Sequence, residues 1–144
     1  MTYANATASG ARFYALRLKP GQDVVAELRS FVNDNGLRAV SIVSVVGSLN
    51  TALLRYANTG VWKEVSGHFE IVSLVGTIDA VGEHLHISLS DRTGRTIGAH
   101  FGLGSAVYTT AEIVLAELTD LGFRREPCPL SGWDELVVES RTDN

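Results

Sequence analysis

Between Glu83 and Gly104 the chain reads EHLHISLSDRTGRTIGAHFGLG, and this stretch constrains the fold more than any other. Apolar and polar side chains alternate on both sides of a break at Asp91–Arg95. In the first half Leu85, Ile87 and Leu89 share one face, while His84, His86, Ser88 and Ser90 share the other. In the second half Ile97, Ala99, Phe101 and Leu103 oppose Thr96, Gly98, His100, Gly102 and Gly104. A period of two is the mark of strands buried on one side, and the segment Asp91-Arg92-Thr93-Gly94-Arg95 predicts the hairpin loop that joins them.

The pattern also predicts the register. If Ser90 pairs with Thr96, Leu89 faces Ile97, Ile87 faces Ala99 and Leu85 faces Phe101, so every apolar side chain lies on one side. A slip of one residue would set one strand's apolar row against the other's polar row, which a half-buried sheet resists. In this register His86 lies opposite His100, with His84 two residues along on the same face. Directly opposed Cβ atoms stand about 4.5–5.5 Å apart, so three imidazoles converge.

Three neutral imidazoles with a fourth position left over suit Zn²⁺, though nickel, copper or iron accept the same ligands. The competing reading is that an H-x-H pair on a strand binds nothing, as short motifs usually do. Gly98, Gly102 and Gly104 lie on the histidine face. Their lack of a Cβ either admits a second chain or ligand to close approach, or serves twist and bulging alone.

The remaining sequence predicts an α+β domain with a mainly antiparallel, twisted sheet flanked by one or two helices. Ala11–Leu18 reads as a strand, and Pro20-Gly21 breaks it. Val24, Val25, Leu28, Phe31 and Val32 then recur at helical spacing within Gln22–Asn33, which ends at Asn35-Gly36. Asp23 falls in the first turn, where its charge suits the helix dipole. Leu37–Leu49 is rich in β-branched residues and predicts a long buried strand. Gly47-Ser48 predicts a bend into a further strand at Thr51–Tyr56. Strands follow at Trp62–Val65 and His68–Ile78, then in the hairpin. Tyr108–Glu117 fits a helix or a strand, and Leu136-Val137-Val138 is a short apolar run. Residues 11–138 are expected to form the domain, with flexible ends at 1–10 and 139–144.

A chain of 144 residues with 45% hydrophobic and 19% charged residues is that of a single globular domain. Cys128 is the one cysteine, so no internal disulfide forms, and no basic-then-apolar leader is readable. The longest apolar runs fall far short of the roughly 20 residues needed to span a bilayer. A cytoplasmic protein without membrane contact is expected. The net charge is −4, Lys19 and Lys63 are the lysines, and only Arg92 with Arg95 and Arg124-Arg125 lie close together. Binding to a phosphate backbone needs clustered cations, so intrinsic DNA binding is disfavoured.

Five segments resemble the plants-and-prokaryotes-conserved (PPC) domain, which stands alone in prokaryotes and follows AT-hooks in plants. Gly47-Ser48-Leu49-Asn50-Thr51-Ala52-Leu53-Leu54-Arg55 is similar to the family's glycine-serine turn and following strand. Gly67-His68-Phe69-Glu70-Ile71-Val72-Ser73-Leu74 resembles its Gly-Arg-Phe-Glu-Ile-Leu segment, with His68 in place of arginine. His84-Leu85-His86 and Gly98-Ala99-His100 resemble the histidine motifs of the prokaryotic branch, and Glu112-Ile113-Val114-Leu115 its late strand. The resemblance covers residues 11 to 138.

The resemblance implies a strand at Tyr108–Glu117, a homotrimer, and His84, His86 and His100 as metal ligands. It further implies a partner or oligomer contact at Gly67, His68, Phe69, Glu70, Ile71 and Val72, where His68 departs from the family pattern. The family's DNA-binding label rests on AT-hooks, built on Arg-Gly-Arg-Pro, and this sequence has none.

Three functions are open to such a chain. One is a homotrimeric metal-binding module, probed most simply as a zinc module, that recognises a small ligand or a protein partner. Another is a DNA-associated regulator. The third is a metal-dependent hydrolase or lyase using metal-bound water, for which Glu70, Glu83 and Glu112 are the candidate general acids or bases; no catalytic residue is assigned. Arg55 is either an anion contact or a solvated strand-end arginine. Trp62 and Trp133 are expected to pack or to contact a trimer partner.

Overall fold

The computed structural model describes residues 6–141. Eight strands and one helix follow in the order β1 (Ala11–Leu18), α1 (Val24–Asp34), β2 (Val40–Arg55), β3 (Lys63–Ile78), β4 (Glu83–Ser90), β5 (Thr96–Gly102), β6 (Val107–Leu118), β7 (Leu121–Cys128) and β8 (Trp133–Ser140). The fold is a mostly antiparallel sheet with one short helix. Ser9 and Gly10, expected in a loose leader, are tied to Asp120, whose carboxylate accepts from Gly10 N at 2.7 Å. Glu139 and Ser140 belong to β8, so the strand runs two residues past the expected end of the domain.

Six strands form the main sheet in the order β1-β6-β2-β3-β4-β5, and the end of β2 also pairs with β5. The sheet therefore curls until β2, β3, β4 and β5 close into a small barrel, with β6 and β1 continuing from β2. Two 16-residue strands make this closure possible, each long enough to serve different neighbours along its length. The expected bend at Gly47-Ser48 is a bulge against β6 within one continuous β2, and the two strands expected between Trp62 and Ile78 are one strand, β3. Tyr108–Glu117 is strand, lying in β6 between β1 and β2.

The core lies between the concave sheet face and α1. Val24, Val25, Leu28 and Val32 of the helix meet Leu49, Leu54, Ile78, Leu85, Leu89, Ile113 and Leu115 of the sheet. Asp23 is the N-cap rather than a first-turn residue. One carboxylate oxygen accepts from Ala26 N at 3.0 Å, and the other from Gly104 N at 2.6 Å and Ser105 N at 3.1 Å. This single side chain satisfies a helix-end donor and fixes the loop leaving β5. The helix ends where Gly36 turns left-handed at φ +62°.

The β7–β8 hairpin is a separate two-stranded sheet, of which only the apolar run Leu136-Val137-Val138 stands out in the sequence. Two arginines pin it to the rest. Arg125 reaches Asp79, which is buried in the β3–β4 turn, and Thr77 Oγ1 at 3.0 Å; Arg141 reaches the buried Glu117 at 3.1 Å. Among the described residues no helix is long and apolar enough to cross a membrane.

Candidate metal centre

β4 and β5 pair in the register Ser90↔Thr96, Leu89↔Ile97, Ile87↔Ala99 and His86↔His100. Burial agrees with this pairing, since Leu85, Ile87, Leu89 and Phe101 are in the core while His84 and His86 are exposed and His100 is half-buried. His84, His86 and His100 each turn a ring nitrogen into one space, and these atoms lie within 4.8 Å of one another. His86 Nε2 and His100 Nδ1 stand 3.1 Å apart and share one hydrogen bond. The His84 and His100 rings are nearly parallel, at 10°, with centroids 5.6 Å apart, and His86 stands across both.

A tetrahedral ion with bonds of about 2.0–2.1 Å holds its ligand nitrogens about 3.3 Å apart. The His86–His100 pair is already close to that spacing at 3.1 Å, and the ring nitrogen of His84 lies within 4.8 Å of both. The donor set therefore fits a metal ion. His84 and His100 are also biased to the form that binds one. Burial lowers the His84 pKa, with further lowering from His86, Arg125 and Arg55 that Glu135 partly opposes. Burial likewise lowers that of His100, assisted by Arg55, His86 and His84. A lowered pKa keeps imidazole neutral at neutral pH.

His84 is placed by a glycine that sequence reasoning passed over. Gly76 of β3 lies opposite Leu85, with φ +141°, and a Cβ there would stand 2.0 Å from the His84 carbonyl oxygen. Only a bare backbone lets β4 come this close. Of the three glycines on the histidine face, Gly102 is covered by the chain's own Trp62, whose ring would lie 2.7 Å from an added Cβ. Gly104 takes φ +108° at the Asp23 contact, and Gly98 would meet nothing nearer than Ile87 O at 3.4 Å.

A cavity of about 690 Å³ opens beside the histidines, lined by Arg55, Trp62, His84, His100, Phe101 and, from the hairpin, Arg125, Trp133, Asp134 and Glu135. Arg55 is there because β2 closes on β5, which sets it directly opposite His100. Its guanidinium carbon lies 5.6 Å from the Trp62 ring and 5.7 Å from that of Trp133. The hairpin residues were outside the sequence-predicted site because nothing local ties residues 125–135 to a histidine forty residues earlier.

The carboxylates considered as acids or bases are not gathered here. Glu70 and Glu112 lie exposed on β3 and β6 away from the cavity lining, and Glu83, which does line it, is bound by Arg29 at 2.6 Å. The segment Gly67–Val72 lies along β3 with Ile71 buried and His68, Glu70 and Val72 outward. His68 stacks on Tyr108 with centroids 4.3 Å apart.

Residues 5–119 match the model of the Plants and Prokaryotes Conserved (PCC) domain. The chain is 44% identical over 128 residues to the bifunctional protein GlmU of Synechococcus sp. (strain JA-3-3Ab), covering 89% of this chain and 21% of that protein. It thus spans about a fifth of the length of the curated relatives it matches. Among solved structures it resembles a hypothetical protein from Salmonella enterica, with a TM-score of 0.93 and 48% identity over 94% of this chain and 99% of that one. It also resembles a metal-containing protein from Archaeoglobus fulgidus, with a TM-score of 0.75 and 27% identity over 90% and 95% of the two chains. The chain belongs to the Plants and Prokaryotes Conserved domain family.

Proposed function

We propose that this protein is a homotrimeric module that binds one zinc ion per chain on His84, His86 and His100 and uses it to recognise a small ligand. The observation that carries the reading is the convergence of three ring nitrogens within 4.8 Å at the edge of a cavity large enough for a small molecule. The metal-containing relative from Archaeoglobus fulgidus supports it. Zinc is chosen for three imidazole ligands in a near-tetrahedral spacing.

Self-association is supported by the outer sheet face. Val43, Val46, Val72 and Val75 are each more than half exposed, at 52%, 58%, 59% and 54%. Such a patch marks an interface more often than a free surface. It continues the Gly67–Val72 segment, and Val75 pairs with His86, so an interface here borders the metal site.

The test is metal analysis and zinc titration of untagged protein, with mass determined by light scattering. One zinc per chain with micromolar or tighter affinity and a trimer mass are expected. A protein that takes up no zinc sinks the metal reading, and a monomer sinks the trimer. Val72→Asp is expected to yield monomers. With net charge −4, and with Arg124 and Arg125 already paired to carboxylates, a DNA-associated role is disfavoured, and no shift of labelled duplex even at low salt is expected.

A further inference from the structure

We infer that the cavity takes a small molecule bearing a carboxylate, held between Arg55 and the ion on the three histidines. This rests on the metal reading above and adds the chemical class of the ligand.

Arg55 is prepared for an anion and is not spent on one. Its guanidinium carbon lies within cation–π reach of both indoles, 5.6 Å from the Trp62 ring and 5.7 Å from that of Trp133, which helps to hold the group in place. One donor, Nη1, is used on the Thr59 carbonyl at 3.0 Å. Among the described residues Arg55 takes part in no ion pair, whereas Arg125, the cavity's other arginine, is committed to Asp79 and Thr77. A guanidinium fork held in this way matches the two oxygens of a carboxylate and loses little freedom on binding it.

The position matters as much as the group. Arg55 and His100 are ladder partners, and His100 in turn pairs with His86. One row around the barrel therefore runs histidine, histidine, arginine on a single outward face. A ligand oxygen on an ion held by the histidines would therefore have Arg55 as its neighbour along this row. The remaining walls choose between anions. Asp134 and Glu135 line the same cavity, so a phosphate dianion meets about twice the repulsion there that a carboxylate monoanion does. The two indoles offer apolar cover to the ligand's body.

The chain's two tryptophans both flank Arg55, so its fluorescence reports on this cavity. Untagged full-length protein is first titrated with zinc. The zinc-loaded form is then titrated with benzoate, acetate and inorganic phosphate by fluorescence and calorimetry. Saturable benzoate binding is expected, at least tenfold tighter than phosphate, and at least tenfold weaker without zinc. Arg55→Gln is expected to weaken benzoate tenfold or more, with zinc titration and a thermal melt on the same variant reporting separately on the metal site and the fold. Trp133→Leu, on the exposed hairpin, is expected to weaken it threefold or more.

Zinc uptake without benzoate binding overturns the ligand assignment and leaves the metal reading standing. Tighter binding of phosphate, or equal benzoate binding without zinc, overturns it as well. Failure to take up zinc overturns both.

Discussion

The close approach of β3 and β4 at Gly76 makes the metal site and the fold separately measurable. In Gly76→Ala the new Cβ would stand 2.0 Å from the His84 oxygen and 3.0 Å from both the His84 carbonyl carbon and the Leu85 Cα. Ordinary contact begins at 3.4 Å, so β4 must retreat by about 1.4 Å at the oxygen. The backbone at φ +141° adds strain of about 1–3 kcal/mol, and forcing the strands apart adds about 1–3 kcal/mol more. A loss of about 2–6 kcal/mol corresponds to a fall in Tm of roughly 8–24 °C at this chain length, at about 4 °C per kcal/mol.

The retreat falls on His84 itself. Metal–ligand distances tolerate only about 0.2 Å, so zinc affinity is expected to drop by about 100-fold or more. Gly47→Ala is the control. Its Cβ would meet Thr110 O at 2.1 Å, a similar clash in the β2–β6 pairing, where no histidine lies. Thermal melts and competition with a chromophoric zinc chelator read both quantities. Both variants should lose stability, and Gly76→Ala alone should lose zinc. Equal zinc affinity in the two, with Gly76→Ala folded and destabilised, refutes the idea that this glycine positions the site.

Three further outcomes are expected. Gly102→Ala pushes the Trp62 ring off the β5 backbone, which should shift tryptophan emission and weaken benzoate binding several-fold while changing Tm little, because the ring is 45% exposed and can swing outward. Arg125→Ala strips the buried Asp79 of its cationic partner and should cost about 2–3 kcal/mol by chemical denaturation, somewhat below a fully buried pair because two turn N–H groups still serve that carboxylate. The metal-free protein should lose stability as pH falls below about 6.5, the ordinary histidine value. His84 and His100 are depressed in the fold, so the unfolded chain takes up protons first, and replacing both with Gln should flatten the profile between pH 7 and 5.

What could be read from the residues alone follows from the range of the signals. In β4 and β5 alternation fixes which face each side chain takes, and a five-residue loop leaves one sensible register, so His86↔His100 was legible before any coordinates. The helix was legible for the same reason, its apolar residues repeating at 3.6 within one segment. The hairpin β7–β8 was not. Arg124, Arg125 and Glu126 interrupt any apolar row, and Pro127 and Pro129 read as breaks, although a proline is tolerated on a two-stranded edge.

The sequence by itself determined that three imidazoles gather, because a tight hairpin turns local periodicity into contact. Only the tertiary structure decided what surrounds them. Arg55 meets His100 through the closure of β2 on β5, and Trp133 arrives on a hairpin anchored by Arg125 and Asp79. Those placements depend on twist accumulated across successive strands and on bulges in β2 and β3. No window of neighbouring residues contains that sum, so the three-histidine cluster is written in the hairpin and its surroundings in the closed barrel.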